Sequence, residues 1–270
     1  TATVCVTWST WWSKAPCFFT SRSGEAASQH HGPHSGIELS RRQASITTMK
    51  YTISGEIAQK VDLHAQQGES LWCSRGSLMA YSNGIHWELK VPGGVGGAAR
   101  RALSGEGIAL TRVEVRQPGQ QLLLSANQPG HIAVWDLADG PIVTTRGSFL
   151  AAWGEDVDIS VTVARRAGAA FFGGAGLFLQ RISGRGTVLV HGSGDFSQVD
   201  LAAGEEILVS SGNLAAFAGS VDYNIRGIGG CRRVLFGGEG LFMTSLKGPG
   251  RVLLQSLKRS AGARQAPPAG

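Results

Sequence analysis

Two short motifs each recur three times along the chain, in the same order and at nearly constant spacing. The first motif reads GSLMAY, GSFLAAW and GNLAAF and begins at Gly76, Gly147 and Gly212. The second reads GEGIALTRV, GAGLFLQRI and GEGLFMTSL and begins at Gly105, Gly174 and Gly238. Two motifs that recur with the same spacing predict three tandem copies of a single unit of about 65 residues.

Each copy of the second motif alternates apolar and polar residues, as in Leu110, Thr111 and Val113, and this alternation predicts a strand. A glycine-rich turn and a second apolar run follow each time, so we expect a hairpin. Glycines are abundant, 39 in 270 residues, and helical periodicity is nearly absent. One or two helical turns are expected only at Gly96–Leu103. The sequence therefore predicts an all-β fold built from three small sandwich-like units.

The predicted organisation has three parts. Residues 1–48 lack apolar periodicity and are expected to be disordered or non-native, so His30, His31 and His34 are interpreted as part of a disordered tail and not as a metal cluster. Residues 49–256 form the β domain, with units at approximately 49–116, 117–188 and 189–256. Residues 257–270 are expected to be a disordered tail.

Charge and cysteine content limit the possible functions. The formal net charge is +6, but residues 49–255 carry 18 Lys and Arg against 17 Asp and Glu, so the predicted domain has no electrostatic footprint for DNA. The charge-free stretch Ala167–Gln180 is shorter than the ~20 residues that span a bilayer. The four cysteines have no C-x-x-C spacing, which favours free thiols in a reducing compartment and no metal or cofactor.

Three groups of polar residues contain the residue types of catalytic or metal sites. His191, Ser193 and Asp195 offer those of a hydrolytic triad, but such close spacing after a strand is typical of a polar loop. A second group, Glu155, Asp156 and Asp158, is compatible with an acid pair or a cation site, although acids at a strand start are usually solvated. A third group, His64, His86 and His131, has no ligand spacing. Catalysis is therefore not predicted.

The one segment that interrupts the repeat is the glycine-rich stretch Lys90–Gly105, which carries Arg100 and Arg101. Loops that depart from a scaffold often carry function, so these two arginines are weak candidates for binding. A connector packed at an edge of an assembly is the alternative. The six repeated motif glycines named above are interpreted as structural turn residues, at which a positive φ or a close backbone approach is needed.

The segments RALSGEGIALTRVEV, GPIVTTRGSFLAAW, GAGLFLQRISGRGTVLVHGSG, GEEILVSSGNLAAF and GEGLFMTSLKGPGRVLLQS resemble the altered-inheritance-of-mitochondria 24 family, from Met49 to about Ser256. The resemblance implies three copies of a TRAP-like unit, similar to the tryptophan RNA-binding attenuation protein and to a short double-stranded β-helix. It also implies assembly as a homotrimeric ring. RNA binding is not expected, because no basic residue repeats three times: Arg112 aligns with Arg181 but with Ser245 in the third copy.

The function predicted from the sequence is a non-enzymatic oligomeric scaffold or interaction protein of a bacterial cytoplasm, bound to itself and to an unknown protein partner. The alternative is a module that binds a small molecule, a nucleotide or RNA in crevices between repeats or subunits.

Overall fold

β-Strands account for nearly all regular structure in the described part of the chain. The structure, a computed structural model, describes residues 49–92, 109–145, 147–164, 177–227 and 242–259. Within those residues there are 17 strands, two 3₁₀ turns and no α-helix, which confirms the predicted all-β class. The helical turns predicted at Gly96–Leu103 lie outside the described residues.

The strands fall into three consecutive sets along the chain. The first set is β1 (Lys50–Ser54), β2 (Lys60–Ala65), β3 (Ser70–Cys73), β4 (Leu78–Tyr81), β5 (Ile85–Lys90), β6 (Leu110–Val115) and β7 (Gln120–Ser125). The second set is β8 (Gly130–Asp136), β9 (Ile142–Thr145), β10 (Phe149–Ala164) and β11 (Leu177–Ser193). The third set is β12 (Phe196–Leu201), β13 (Glu206–Ser210), β14 (Leu214–Ala218), β15 (Asp222–Gly227), β16 (Phe242–Lys247) and β17 (Gly250–Gln255). The 3₁₀ turns are Leu137–Asp139 and Ser211–Asn213.

Period-two patterning explains why these segments are strands. In β2, Val61, Leu63 and Ala65 are buried, whereas the residues between them are half-buried or exposed. Successive side chains of a strand point to opposite faces, so this pattern places one face of β2 in the core and the other toward solvent. Leu122 and Leu124 of the neighbouring strand β7 are buried in the same way.

The same antiparallel pairing occurs in each set. In the first, β7 lies between β2 and β4, and β6 lies between β3 and β5. In the third, β17 lies between β12 and β14, and β16 lies between β13 and β15. In the second, the long strands β10 and β11 each do the work of two strands of the other sets. The C-terminal half of β11 lies between β8 and the start of β10. The N-terminal half of β11 lies between β9 and the end of β10.

The predicted hairpin was wrong. The two apolar runs that flank each glycine-rich turn do not pair with each other: β6 and β7 pair with different strands, as do β16 and β17. In the second set no turn forms at all, because β11 runs continuously through Gly184 and Gly186. In the first and third sets the glycine-rich segment joins two sheets, and the run on either side of it pairs with two strands that do not include the other run.

The grouping by strand pairing differs slightly from the predicted unit limits. Gln120–Ser125 pairs with β2 and β4, so it is grouped here with the first set. The end of β11, up to Ser193, pairs with β8 and is grouped with the second set. The unit limits near residues 116 and 188 stay a prediction, because strand pairing alone does not define a folding unit.

A β-bulge recurs at one place in every set. The register of β4 on β7 shifts between Leu78 and Ala80, that of β10 on β11 between Phe149 and Ala151, and that of β14 on β17 between Leu214 and Ala216. The residues skipped are Met79, Leu150 and Ala215. A bulge re-aims the side chains that follow it, so the three strands present equivalent residues in the same way.

Adjacent sets are joined by strand pairing. The start of β10 pairs with β3, with Ala151 opposite Cys73, and β14 pairs with β9, with Ala216 opposite Thr144. We call these two contacts the internal junctions.

Two apolar clusters fill the core. One is centred on the first set and includes Leu63, Leu71 and Leu122. The other is formed mainly by the second and third sets.

Candidate functional site

The predicted turn glycines occupy loops that precede three strands of matching position. Gly76, Gly147 and Gly212 lie before β4, β10 and β14. The other three motif glycines, Gly105, Gly174 and Gly238, lie outside the described residues, as do the candidate binding residues Arg100 and Arg101.

Gly76 and Gly147 have φ of +80° and +81°. Glycine adopts this left-handed backbone without the steric cost that a Cβ imposes. Gly212 differs, because it lies within the 3₁₀ turn Ser211–Asn213 and has no positive φ. A Cβ at Gly212 would lie 3.1 Å from the carbonyl oxygen of Arg259, so close backbone approach is the constraint there.

Arg259 is the centre of a polar cluster beside the turn of Gly147. Its Nε donates to Ser193 Oγ at 2.9 Å, its Nη1 to Ser148 Oγ at 3.3 Å and its Nη2 to the carbonyl oxygen of His191 at 3.1 Å. Nη2 also lies 2.5 Å from His191 Nδ1. Because a guanidinium only donates, His191 Nδ1 accepts here and the imidazole proton resides on Nε2. We call Arg259, His191, Ser193 and Ser148 the arginine cluster.

The electrostatics of the arginine cluster keep His191 neutral. Burial, followed by the nearby charge of Arg259, lowers the pKa of His191 to about 4. Burial also lowers the pKa of Arg259 to about 10, which leaves the guanidinium charged at neutral pH. A second proton on His191 would face a positive charge in a largely desolvated site.

The three residues with the types of a hydrolytic triad make their side-chain contacts with other residues. Ser193 Oγ donates to Gln128 Oε1 at 2.7 Å, His191 contacts Arg259, and Asp195 lies 3.2 Å from His131 Nδ1. A nucleophile needs a base within hydrogen-bond reach, itself oriented by a third group. The arrangement instead secures the C-terminal segment: Leu257 N donates to Ser193 O and Arg259 N to Gly212 O.

Two residues of the acidic group, Glu155 and Asp156, lie beside an arginine of β11. Arg185 Nη2 lies 3.0 Å from Glu155 and 3.4 Å from Asp156, and all three side chains are substantially exposed. Asp156 is the one described non-glycine residue with a positive φ, +55°, and it lies at the second register shift of β10. No cluster of three or more metal-ligating side chains occurs in the described part of the chain, and His64 pairs with Asp62 at 3.6 Å.

A crevice of about 320 Å³ lies where the first and second sets meet. Its lining includes Trp72, Lys90, Arg112 and Trp153. The guanidinium of Arg112 stacks over the Trp72 ring at 5.0 Å and donates to Ser70 Oγ at 2.6 Å, and burial lowers the pKa of Arg112. At the next junction the aligned Arg181 extends to the carbonyl oxygen of Gly219 at 3.4 Å.

Two sheet ends are the counterparts of strands that pair at the internal junctions. The first is β4, which pairs with β7 and corresponds to β14. The second is β13, which pairs with β16 and corresponds to β9. Neither β4 nor β13 has a second neighbour among the described strands. We call β4 and β13 the terminal edges.

The terminal edges expose large apolar side chains. Met79 is 63% exposed, Tyr81 47% and Leu208 55%. The residues in the corresponding places at the internal junctions are buried, as Leu150 and Val143 show. The exposure therefore follows from the missing neighbour and not from the type of residue.

The arginine cluster and the terminal edges could not be identified from the sequence. The sequence predicts a disordered tail at Arg259, and its partners lie far earlier in the chain, so no local pattern reveals them. The apolar character of LMAY and EILVS is visible, but apolar residues predict burial and do not say which partner provides it.

Comparisons with known proteins find bacterial relatives. A family model described as mitochondrial biogenesis AIM24 matches residues 51–257. An uncharacterised protein of Streptococcus pyogenes serotype M6 is 27% identical over 219 residues, which is 77% of this chain and 86% of that protein. The X-ray structure of a Streptococcus pyogenes protein is similar with a TM-score of 0.64 and 25% identity, covering 78% of this chain and 94% of that one. The described residues contain no helix with the length and apolar character needed to span a membrane.

Proposed function

The chain belongs to the mitochondrial biogenesis AIM24 family, and we propose that it is a non-enzymatic scaffold or interaction protein that works as an oligomer. The family assignment supplies no chemistry, so the proposal is argued from the described residues. The observation that carries it is the exposure of Met79, Tyr81 and Leu208 on the two terminal edges.

The architecture proposed is three tandem repeats of a small TRAP-like β-sandwich. Support comes from the three sets of strands, which share one pairing pattern and one bulge position. Further support comes from the two internal junctions, in which a strand of one set pairs with a strand of the preceding set. A repeat of this kind extends in one direction and leaves a different edge at each end of the chain.

Open edges with apolar side chains favour self-association. A strand at the edge of a sheet presents backbone N–H and C=O groups with which another strand can pair, and proteins usually cover such edges. The two terminal edges differ from each other, so the contact between copies is head to tail, and head-to-tail contacts that close produce rings. We therefore propose a homotrimer in which three chains complete one ring.

The polar groups described above support a structural role. His191 and Ser193 are engaged by Arg259 and Gln128, and Glu155 and Asp156 are paired with Arg185. These contacts hold the chain together at a turn and at a strand bend.

The partner beyond the chain itself is proposed to be another protein of the bacterial cytoplasm. This location is in keeping with a bacterial relative. It is also in keeping with the free thiol of Cys73, because free cysteines are common in a reducing compartment.

Light scattering on the full chain tests the proposal. A mass of three chains that persists through the micromolar range is the expected result. Leu208→Lys should shift the mass to one chain with an unchanged far-UV circular dichroism spectrum, because the side chain is exposed within the single chain. Val134→Lys is the matched control: Val134 is also exposed, but it lies on β8 in the second set, so the mass should stay at three chains. A single-chain mass for the unmodified protein would contradict the proposal.

The second candidate function is binding of a small anionic aromatic molecule, a nucleotide or RNA in the crevice between sets. It is favoured by Arg112 and Lys90 beside Trp72, since cationic and aromatic side chains together bind such groups. Titration with ATP while following tryptophan fluorescence would test it. A response lost in Arg112→Gln but kept in Arg116→Gln, an arginine outside the crevice lining, would favour this candidate.

A further inference from the structure

The two internal junctions follow one register, and this register can be extended to the terminal edges. In the first junction Ala151 lies opposite Cys73, Ala152 opposite Trp72 and Trp153 opposite Leu71. In the second, Ala216 lies opposite Thr144, Phe217 opposite Val143 and Ala218 opposite Ile142. Both junctions are antiparallel, and each joins the strand after the turn glycine of one set to the strand before the turn glycine of the preceding set.

Pairing within each set shows which residues are equivalent. Ala80, Ala151 and Ala216 each follow the bulge and lie opposite Leu123, Leu189 and Leu253. On the strand before the turn glycine, the equivalent residue of each set lies opposite the polar position of the second motif. These pairs are Cys73 with Thr111, Thr144 with Gln180 and Val209 with Thr244. Ala80 therefore corresponds to the alanine of both internal junctions, and Val209 corresponds to their Cys73 and Thr144.

We propose that β4 of one copy pairs antiparallel with β13 of a second copy in this same register, with Ala80 opposite Val209 and Tyr81 opposite Leu208. The proposal rests on the self-association proposed above and assigns its interface. The occupant of each terminal edge is a second copy of this chain. β4 matches β10 and β14 in its bulge position and apolar residues, and β13 matches β3 and β9 in its pairing with the strand of the second motif.

Burial at the internal junctions supports this occupant. Tyr81 is 47% exposed, whereas its counterparts Ala152 and Phe217 are 0% and 1% exposed. Leu208 is 55% exposed, whereas Val143 at the same place is 7% exposed. The side chains left open on the terminal edges are therefore those that a neighbouring strand covers elsewhere in the same chain.

Register also explains why a large residue stands at Tyr81. In the first junction the small Ala152 faces the large Trp72, and in the second Phe217 faces the smaller Val143. Opposite side chains in an antiparallel pair lie close enough to pack, so an aromatic ring facing Leu208 fits the volume pattern of the second junction. The interface proposed is thus a third junction of the type that the chain already builds twice.

Disulfide trapping on the full chain tests the register. Residues directly opposite in an antiparallel pair have Cα atoms about 4.5–5.5 Å apart, within the range that a disulfide spans. Under mild oxidation, Ala80→Cys with Val209→Cys should give covalent dimers and trimers on a non-reducing gel. The shifted pair Ala80→Cys with Leu208→Cys should give about tenfold less, because a one-residue slip turns the side chain to the other face.

Mixing the two single variants identifies the occupant. A chain with only Ala80→Cys and a chain with only Val209→Cys should give a covalent dimer when mixed, whereas neither alone should exceed the unmodified chain, which controls for the native cysteines. Cross-linking within one chain, or equal cross-linking of the shifted pair, would overturn the proposed register while the trimeric mass stands. A single-chain mass by light scattering would overturn the proposed function as well.

Discussion

Gly76 and Gly147 occupy matching turns and share a left-handed backbone, yet their surroundings differ. A Cβ at Gly76 would meet only the side-chain amide of Asn127 at 3.6 Å, an ordinary contact. A Cβ at Gly147 would lie 2.7 Å from Nη1 of Arg259. The guanidinium cannot move away freely, because it donates to three other residues of the arginine cluster. The two positions therefore separate backbone strain from steric conflict.

We expect Gly76→Ala to destabilise the fold by about 1 kcal/mol through backbone strain alone. Gly147→Ala should cost about 1–3 kcal/mol more, because it also displaces the hydrogen-bonded guanidinium. Chemical denaturation of each variant with and without Arg259→Ala measures the coupling. Gly147 and Arg259 should couple by about 0.5–3 kcal/mol, and Gly76 and Arg259 should be additive. Equal costs and no coupling at either glycine would show that Arg259 does not constrain the turn.

His191 gives the fold a specific dependence on pH. Its pKa is about 4 in the folded protein and near 6.5 when the side chain is free. Between these values the unfolded chain binds a proton that the folded chain does not, so stability falls as pH decreases from 6.5 to about 4. The loss assigned to this residue should be about 1–3 kcal/mol.

His191→Gln provides the control, because Gln255 is the residue at the corresponding place in the third set. In thermal melts between pH 7 and pH 4, the stability of the unmodified chain should fall more steeply than that of the variant, since only the unmodified chain carries the histidine penalty. Parallel curves across this range would show that His191 is not the responsible group.

The strands after the turn glycines share one apolar pattern, but β10 is a central strand and β4 is an edge strand. Leu150 and Met79 occupy the same bulge position, but Leu150 is 1% exposed and Met79 is 63% exposed. The difference arises because β10 is flanked by β11 and β3, whereas β4 is flanked by β7 alone among the described strands. An edge strand and a central strand of similar sequence character therefore tolerate different changes.

Replacing each bulge residue by lysine should expose this difference. Leu150→Lys buries a charge in an apolar cluster and should cost more than about 3 kcal/mol or prevent folding. Met79→Lys should leave the unfolding free energy of the single chain within about 0.5 kcal/mol but weaken self-association. Denaturation at low concentration and light scattering at high concentration measure the two effects separately. Comparable destabilisation by both substitutions would contradict the assignment of β4 as an edge.

At the scale of the whole molecule, the family model begins at residue 51. Residues 1–48 also lack the apolar periodicity of a strand. A chain that begins at Met49 should therefore unfold at the same temperature as the full chain. Differential scanning calorimetry of the two chains checks this. A fall of several degrees would show that residues 1–48 stabilise the fold.

Family membership and the all-β class could be determined from the sequence, because both depend on local information. Alternation of apolar and polar residues defines strands wherever it occurs, as in Val61 and Leu63 of β2. The motif glycines mark turns because few other residues tolerate the backbone found at Gly76 and Gly147. The order of these features along the chain was sufficient to identify the family.

Only the tertiary structure decided which edges meet. Alternation specifies the faces of a strand but not its neighbours, so the sequence predicts a hairpin of β6 and β7, although they pair with different strands. Likewise, the composition of the C-terminal tail gives no sign that Arg259 lies against Ser148, 111 positions earlier. Both depend on contacts between residues far apart in sequence, and those contacts form only when the sheets pack. The same packing leaves β4 and β13 without an outer neighbour among the described strands, and this is the feature from which the proposed assembly follows.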